Sequence, residues 1–343
     1  MRCNPTHSRR AIRRLAALLA GLCLAAVTGC SSEVYDPTAG SLSLGEGSGR
    51  WELPSEPTTG GVLEIPSGDP FADSPRVLRA DFLNTGKSDV ILLRLREGAS
   101  EHAVLVDTGE SDDYETIRAC LTTYGLTEID CLIVSHFDKD HIGSADRILQ
   151  DYSVKTVYMP DYVRDSALYR RMMATLESRP DTAVRRLSAG EEALVPLAGG
   201  TLRINSTDLY PAGLTLGSDD SHAAEENNYS LITTVECGEI ALLLAGDAEQ
   251  DRLTEFLTVS DGAVYDLIKI PHHGSYDKAL GDLLRENTGL RYCVVHAGSA
   301  TEVEASLVTA MRSVGSAAYY TYDGSIAFAT DGESMVMSQA TSP

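Results

Sequence analysis

From residue 77 onward, short apolar runs alternate with amphipathic stretches, and that alternation sets the expected elements. Residues 77–84 and 89–95, joined across Thr85-Gly86-Lys87, and residues 102–106 have the apolar, β-branched character of strands. An amphipathic helix follows at 112–123, with Gly125 placed to close it. The run Ile129-Asp130-Cys131-Leu132-Ile133-Val134 reads as a buried strand. Beyond it the pattern predicts helices at 144–151 and 165–177 around a strand at 154–159, then strands at 192–195, 201–205, 229–236 and 239–244, with Gly238 turning the last pair. The final third predicts helices at 249–257, 278–286 and 303–313, strands at 264–270 and 292–296, and a terminal hairpin over Asp323-Gly324. Strand meanders alternating with helices predict an α+β fold whose sheets are covered by helices, with no short repeat and no second domain.

The amino terminus follows other rules. A basic region ending at Arg14 precedes an apolar run, 15–27, too short for a lasting transmembrane helix, and reads as an export signal. Val27-Thr28-Gly29-Cys30 resembles the lipobox of bacterial lipoproteins, which implies lipidation of Cys30 and residence at the extracytoplasmic face of the cell membrane through a lipid anchor only. Residues 1–30 are thus expected to be a lipoprotein signal peptide, 31–75 a flexible Ser/Gly/Pro-rich spacer, and 76–337 the folded domain. The formal charge is -22; the first 30 residues hold five arginines and no acid, so the remainder carries -27. Such an acidic body offers no footprint for tight binding to nucleic acid or anionic membranes, although local hydrolysis of such a polymer is compatible with it. Cys120, Cys131, Cys237 and Cys293 stand isolated, mostly within apolar runs, and read as buried thiols.

Candidate chemistry concentrates where the strand at 129–134 ends. Ser135-His136-Phe137-Asp138-Lys139-Asp140-His141-Ile142-Gly143-Ser144 places two imidazoles and two carboxylates within six residues, a donor set for divalent cations when further ligands arrive from elsewhere. Other acids and histidines also stand at strand ends: Asp107 in Val-Asp-Thr-Gly, Asp247 after Leu242-Leu243-Leu244-Ala245-Gly246, and the pair in Pro271-His272-His273-Gly274-Ser275. Alone, Asp107 or Asp247 would read as a helix cap. Adjacent histidines on a loop point different ways, so one can ligate while its neighbour contacts substrate or assists proton transfer.

The His-x-Asp-x-Asp-His series resembles the signature of the metallo-β-lactamase-fold hydrolases, whose usual form is His-x-His-x-Asp-His, with Asp138 where the second His normally stands. With Ile-Gly after it and Pro271-His272-His273-Gly274-Ser275 downstream, it resembles the extracellular hydrolase domain of ComEC-type competence proteins in particular, over about residues 76–337. This resemblance implies a four-layer αββα sandwich and two divalent ions. One would be held by His136, Asp138 and Asn228, the other by Asp140, His141 and His272, with Asp247 bridging both and Asp107 orienting a ligating His from behind. Asp140, Asp247 and His273 are the implied catalytic residues, His273 lying beside the scissile group, and the roles of His272 and His273 are open to reversal. Oxygen donors at Asp138 and Asn228 weaken the case for two tightly held zinc ions and admit manganese, or one firm and one labile ion. His222 reads as a solvated loop residue, and His296 as a substrate contact or a satisfied structural one.

The implied activity is hydrolysis of a phosphodiester, in extracellular nucleic acid or another exposed polymer, by metal-activated water. The alternatives are hydrolysis of a carboxylic ester or lactam on the same fold, and a non-catalytic accessory lipoprotein linked to DNA uptake. Arg164, Arg170, Arg171, Arg179, Arg185 and Arg186 make 162–186 the most basic segment, suited either to a substrate phosphate or to the wet face of a helix.

Overall fold

The computed structural model describes residues 70–217 and 223–340. The expected signal peptide with Cys30, the expected spacer through residue 69, and His222 lie outside the described residues. The first half contains β1 (Arg76–Phe82), β2 (Ile91–Glu97), β3 (Ser100–Val106), α1 (Tyr114–Thr123), β4 (Glu128–Ile133), α2 (Lys139–Ile142), α3 (Ala145–Asp151), β5 (Ser153–Pro160), β6 (Val163–Arg164), α4 (Ala167–Glu177) and β7 (Ala183–Leu187). The second contains β8 (Glu192–Leu197), β9 (Gly200–Asn205), β10 (Thr215–Leu216), α5 (Ala223–Asn227), β11 (Ile232–Cys237), β12 (Ile240–Leu244), α6 (Gln250–Val259), β13 (Leu267–Lys269), α7 (Lys278–Glu286), β14 (Tyr292–Val295), α8 (Ala305–Ser313), β15 (Ala317–Tyr320), β16 (Ile326–Thr330) and β17 (Met335–Gln339).

Two mixed sheets result, ordered β17-β16-β1-β2-β3-β4-β5-β7 and β15-β14-β13-β12-β11-β9-β8. The apolar runs of β2 and β12 lack alternation because both faces of each sheet are covered. Ile91, Leu93 and Leu95 join Ile240, Leu242 and Leu244 in the cluster between the sheets. Leu92 instead packs outward with Ile117 of α1, Ile148 of α3 and Met172 of α4, while Ala241 and Leu243 pack outward with Leu253 of α6, Leu283 of α7 and Leu307 of α8. Helix, sheet, sheet, helix is therefore the layer order, the expected αββα sandwich. Leu242 is fully buried at its centre, so Leu242→Ala is expected to cost about 2–5 kcal/mol, read as a lowered midpoint in urea unfolding.

The terminal hairpin is not where the sequence put it. β15 and β16 lie in different sheets, and the Thr321–Asp323 turn carries the chain from one to the other. The hairpin is β16 with β17, turned at Gly332. A turn signal reports a reversal but not its partner strand. Gly238, which turns β11 into β12, has φ +58, and a Cβ there would lie 2.6 Å from the Gly332 carbonyl oxygen, so two glycines let these turns pack together. The predicted strand at 229–236 begins later, at Ile232, because Tyr229 and Ser230 leave α5 in a hydrogen-bonded turn. Helices α2 and α5 and strand β7 carry too little periodicity to be foreseen.

In the first sheet β3, β4 and β5 run parallel, and in the second so do β12, β13 and β14. The loops after β3, β4, β12, β13 and β14 bear Asp107, the His136–His141 series, Asp247, the His272–His273 pair and His296, and these loops converge.

Candidate metal centre

Asp107 ends β3 in a left-handed conformation, φ 57, which aims its carboxylate at the loop after β4. Oδ1 accepts from the Ser135 backbone N–H at 2.7 Å and Oδ2 from the Ser135 hydroxyl at 2.7 Å. Oδ2 also accepts from His141 Nδ1 at 2.8 Å. His141 therefore carries its proton on Nδ1 and presents Nε2 as a lone pair, 3.3 Å from Asp247 Oδ2. Ser135 has already given its only proton to Asp107, so His136 Nδ1 donates to the Ser135 oxygen at 3.1 Å and leaves its Nε2 lone pair facing Asp138 Oδ2 at 3.8 Å.

Asp247 arrives from the other sheet. Gly246 before it has φ +54 and packs so tightly that a Cβ would fall 2.9 Å from Ser135 Cβ, and the Asp247 N–H is held by the Ser230 hydroxyl at 3.2 Å. After β13, His272 and His273 both adopt left-handed φ, 47 and 53, followed by Gly274 at 97. Such strain in consecutive non-glycine residues costs of order 1–3 kcal/mol each, and here it sends the two rings to opposite sides. His273 is buried, its Nε2 lying 2.9 Å from Asp247 Oδ2 and 3.2 Å from Asp140 Oδ2. His272 is 30% exposed and donates through Nδ1 to Glu249 Oε1 at 3.0 Å. It borders a cavity of about 240 Å³ shared with Gln250, Pro271 and Tyr276. The fold thus brings His273, rather than His272, together with Asp140, His141 and Asp247. Asn228 is engaged by α6: its Oδ1 accepts from the Arg252 N–H at 2.9 Å, in the first turn of that helix.

The donors fit a divalent cation. One atom from each of Asp140, His141, Asp247 and His273 lies within 4.8 Å of all the others, and tetrahedral ligands about 2.0–2.2 Å from a metal stand roughly 3.3–3.6 Å apart. The buried nitrogens His136 Nε2, His141 Nε2 and His273 Nε2, with Asp247 Oδ1, have no hydrogen-bond partner, an arrangement that is costly unless a cation satisfies it. The electrostatics agree. Burial, the largest influence on His273, favours its neutral form, yet Asp247 and Asp140 outweigh it and push the ring up to about 9. Burial also opposes charge on His141, and Asp247 and Asp107 overcome it in the same way. On Asp247, burial favours the protonated form, but His273 and His141 hold the carboxyl well below its usual range. The cluster demands positive charge, and metal binding there displaces protons. His136 differs: burial and the nearby His141 push it down, leaving it neutral.

Several residues around this cluster carried no recognised signal. Lys269, fully buried in β13, pairs with Asp89, donates to the Gly246 carbonyl oxygen at 3.1 Å and lies 3.8 Å from Asp247 Oδ1. Asp89 faces His273 Nδ1 at 3.7 Å and His296 Nδ1 at 3.4 Å. His296 is fully buried behind the cluster, and burial pushes it down to about 4, so it is a neutral structural residue. A lysine inside the apolar run Leu267-Ile268-Lys269-Ile270 was the available clue. Glu226 is buried against Tyr162 and Arg164, 2.8 Å from each. Burial and then Asp138 raise its carboxyl to about 8 against the pull of Arg164. Of the basic segment, Arg164 reaches the centre, whereas Arg170 pairs with Asp165, Arg171 with Asp146, Arg179 with the carbonyls of Gln150 and Tyr152, and Arg186 with Tyr162 and Tyr169.

The profile of the Metallo-beta-lactamase superfamily matches residues 83–296, a span that holds every donor named above. The chain belongs to the metallo-beta-lactamase superfamily. It is 26% identical over 214 residues to ComE operon protein 3 of Bacillus subtilis (strain 168), an alignment covering 57% of this chain and 25% of that protein. The chain thus spans about a quarter of that relative. Among solved structures it is similar to CmlA, a diiron beta-hydroxylase from Streptomyces venezuelae, with 16% identity, a TM-score of 0.41 and coverage of 71% of this chain and 52% of that one. It is similar also to a diphosphatase from the PhnP family, with 11% identity, a TM-score of 0.37 and coverage of 65% and 87%. In this member of the superfamily the candidate metal centre is the cluster of Asp140, His141, Asp247 and His273.

Asp107 touches a donor and not the cation position. Asp107→Asn is therefore expected to weaken metal binding by about 10- to 100-fold while the protein stays folded, measured by competition with a chromogenic chelator.

Proposed function

We propose that this protein is an exported, lipid-anchored metal-dependent phosphodiesterase acting on extracellular nucleic acid or another exposed phosphodiester. The observation that carries the reading is the meeting of Asp140, His141, Asp247 and His273, which bring one donor atom each within 4.8 Å of all the others, the last three from buried side chains. The choice of a phosphodiester over a lactam rests on the resemblance of His136-Phe137-Asp138-Lys139-Asp140-His141 and Pro271-His272-His273-Gly274-Ser275 to the ComEC-type domain. Export and anchoring rest on the apolar run ending at Cys30.

In this reading Asp140, His141, Asp247 and His273 hold one divalent ion, and His136 and Asp138 contribute to a second beside it. Bound there, zinc or manganese supplies Lewis acidity, which lowers the pKa of water and stabilises charge on the attacked centre and the leaving oxygen. The protein's own groups do the rest. Asp107 holds His141 in the tautomer with Nε2 free, and Ser135 does the same for His136. Glu249 lies 3.0 Å from His272 Nδ1 and the Asn227 side-chain amide 3.4 Å from its Nε2, which together fix the ring at the rim of the 240 Å³ cavity.

The test is hydrolysis of a chromogenic phosphodiester by the purified full chain in mild detergent, reconstituted separately with zinc and manganese, with Asp140→Ala as control. Metal-dependent turnover that disappears in the variant supports the reading. A metal-loaded protein inert towards phosphodiesters but active on a carboxylic ester or a lactam would replace it.

A further inference from the structure

The two halves of the centre are built differently. Asp140, His141, Asp247 and His273 close on one another from both sheets. His136 and Asp138 form no group of three or more close donors among the described residues. Asn228, the residue placed by sequence to complete that half, gives its carbonyl oxygen to the Arg252 N–H instead. A cation already stands beside Asp138: Arg164, 4% exposed, has Nη2 at 3.7 Å from Asp138 Oδ1 and Nη1 at 2.8 Å from Glu226 Oε2. Its planar guanidinium is a cation. It draws on the same carboxylate that a second metal ion would need, and it repels that ion at close range.

We propose that the metal centre is unequal by construction: one ion is held firmly by Asp140, His141, Asp247 and His273, and Arg164, by pairing with Asp138, keeps the position at His136 and Asp138 weak. This rests on the reading of the cluster as a metal centre. Arg164 acts here as a positioning residue, through Asp138, and not as a contact for substrate phosphate.

The experiment is calorimetric titration of the metal-free full chain with zinc, and separately with manganese, checked by equilibrium dialysis and metal analysis. The wild-type protein is expected to bind one equivalent tightly and a second at least tenfold more weakly, about the change one neighbouring group makes to metal affinity. Arg164→Met is expected to tighten the second equivalent by about tenfold and leave the first unchanged, whereas Arg164→Lys keeps it weak. If Arg164→Met does not fold, Asp138→Asn decides, because it must remove the second equivalent and spare the first. Two equivalents of equal affinity in the wild type, a second equivalent weakened by Arg164→Met, or an Asp138→Asn variant that loses the first would each overturn the proposal. Failure of the wild-type protein to bind any stoichiometric metal would overturn the metal centre itself.

Discussion

Asp247→Ala is expected to lower metal-dependent turnover by about 10³-fold or more, since the several kcal/mol that a metal ion contributes to transition-state charge stabilisation convert at 1.36 kcal/mol per tenfold. The reason lies in what faces this carboxylate. Its Oδ2 is the anion seen by both His141 Nε2, at 3.3 Å, and His273 Nε2, at 2.9 Å, while Lys269 lies 3.8 Å from Oδ1. Without it, Asp140 is the one carboxylate left in the cluster to compensate a cation between two buried rings from opposite sheets, and a buried lysine loses one of its anions. Bound metal after dialysis should fall in parallel with kcat/KM. A variant that keeps its firmly bound metal and its turnover would remove Asp247 from the centre.

The paired variants of the His-His turn separate two roles that sequence alone left interchangeable. His273→Ala is expected to lose the tightly bound ion and about 10³-fold in turnover, because its ring nitrogen lies within 3.2 Å of both Asp140 and Asp247. His272→Ala is expected to retain that ion and lose roughly 10²-fold, the lower range for a group that assists proton transfer. Metal content, more than rate, discriminates: depletion in His272→Ala with retention in His273→Ala would reverse the assignment. The basis of the difference is backbone geometry. With φ at 47 and 53 the two residues turn their side chains apart, one into the cluster and one towards Glu249.

Much of the fold was legible because both sheets are covered on both faces. Unbroken apolar runs such as Ile91-Leu92-Leu93 and Ala241-Leu242-Leu243-Leu244 mark such strands whatever their partners. The polar residues that end these runs were legible for the same reason, since a charged group after a buried strand must emerge somewhere specific. Asp89 and Lys269 were not. They are 180 residues apart in the chain, and although Lys269 stands out inside an apolar run, nothing local names Asp89 as its partner. Glu226 was hidden in the acidic run that ends at Asn227, where nothing local distinguishes a carboxylate that the fold buries from its neighbour Glu225, which it leaves exposed. The arginines of the 162–186 segment looked alike, yet Arg164 alone among those with named partners reaches the metal loop, the others serving helix ends and surface pairs.

The sequence by itself determined that short buried strands would deliver histidines and carboxylates to loop ends, because hydrophobic periodicity and strand-end polarity are local properties of the chain. Tertiary structure alone decided which of those groups meet. The choice of His273 over His272 depends on a strained left-handed turn, and the diversion of Asn228 depends on an unsatisfied N–H in the first turn of α6. The neutral state of His296 and the pairing of Arg164 with Asp138 and Glu226 depend on burial that strands far apart in the chain create together.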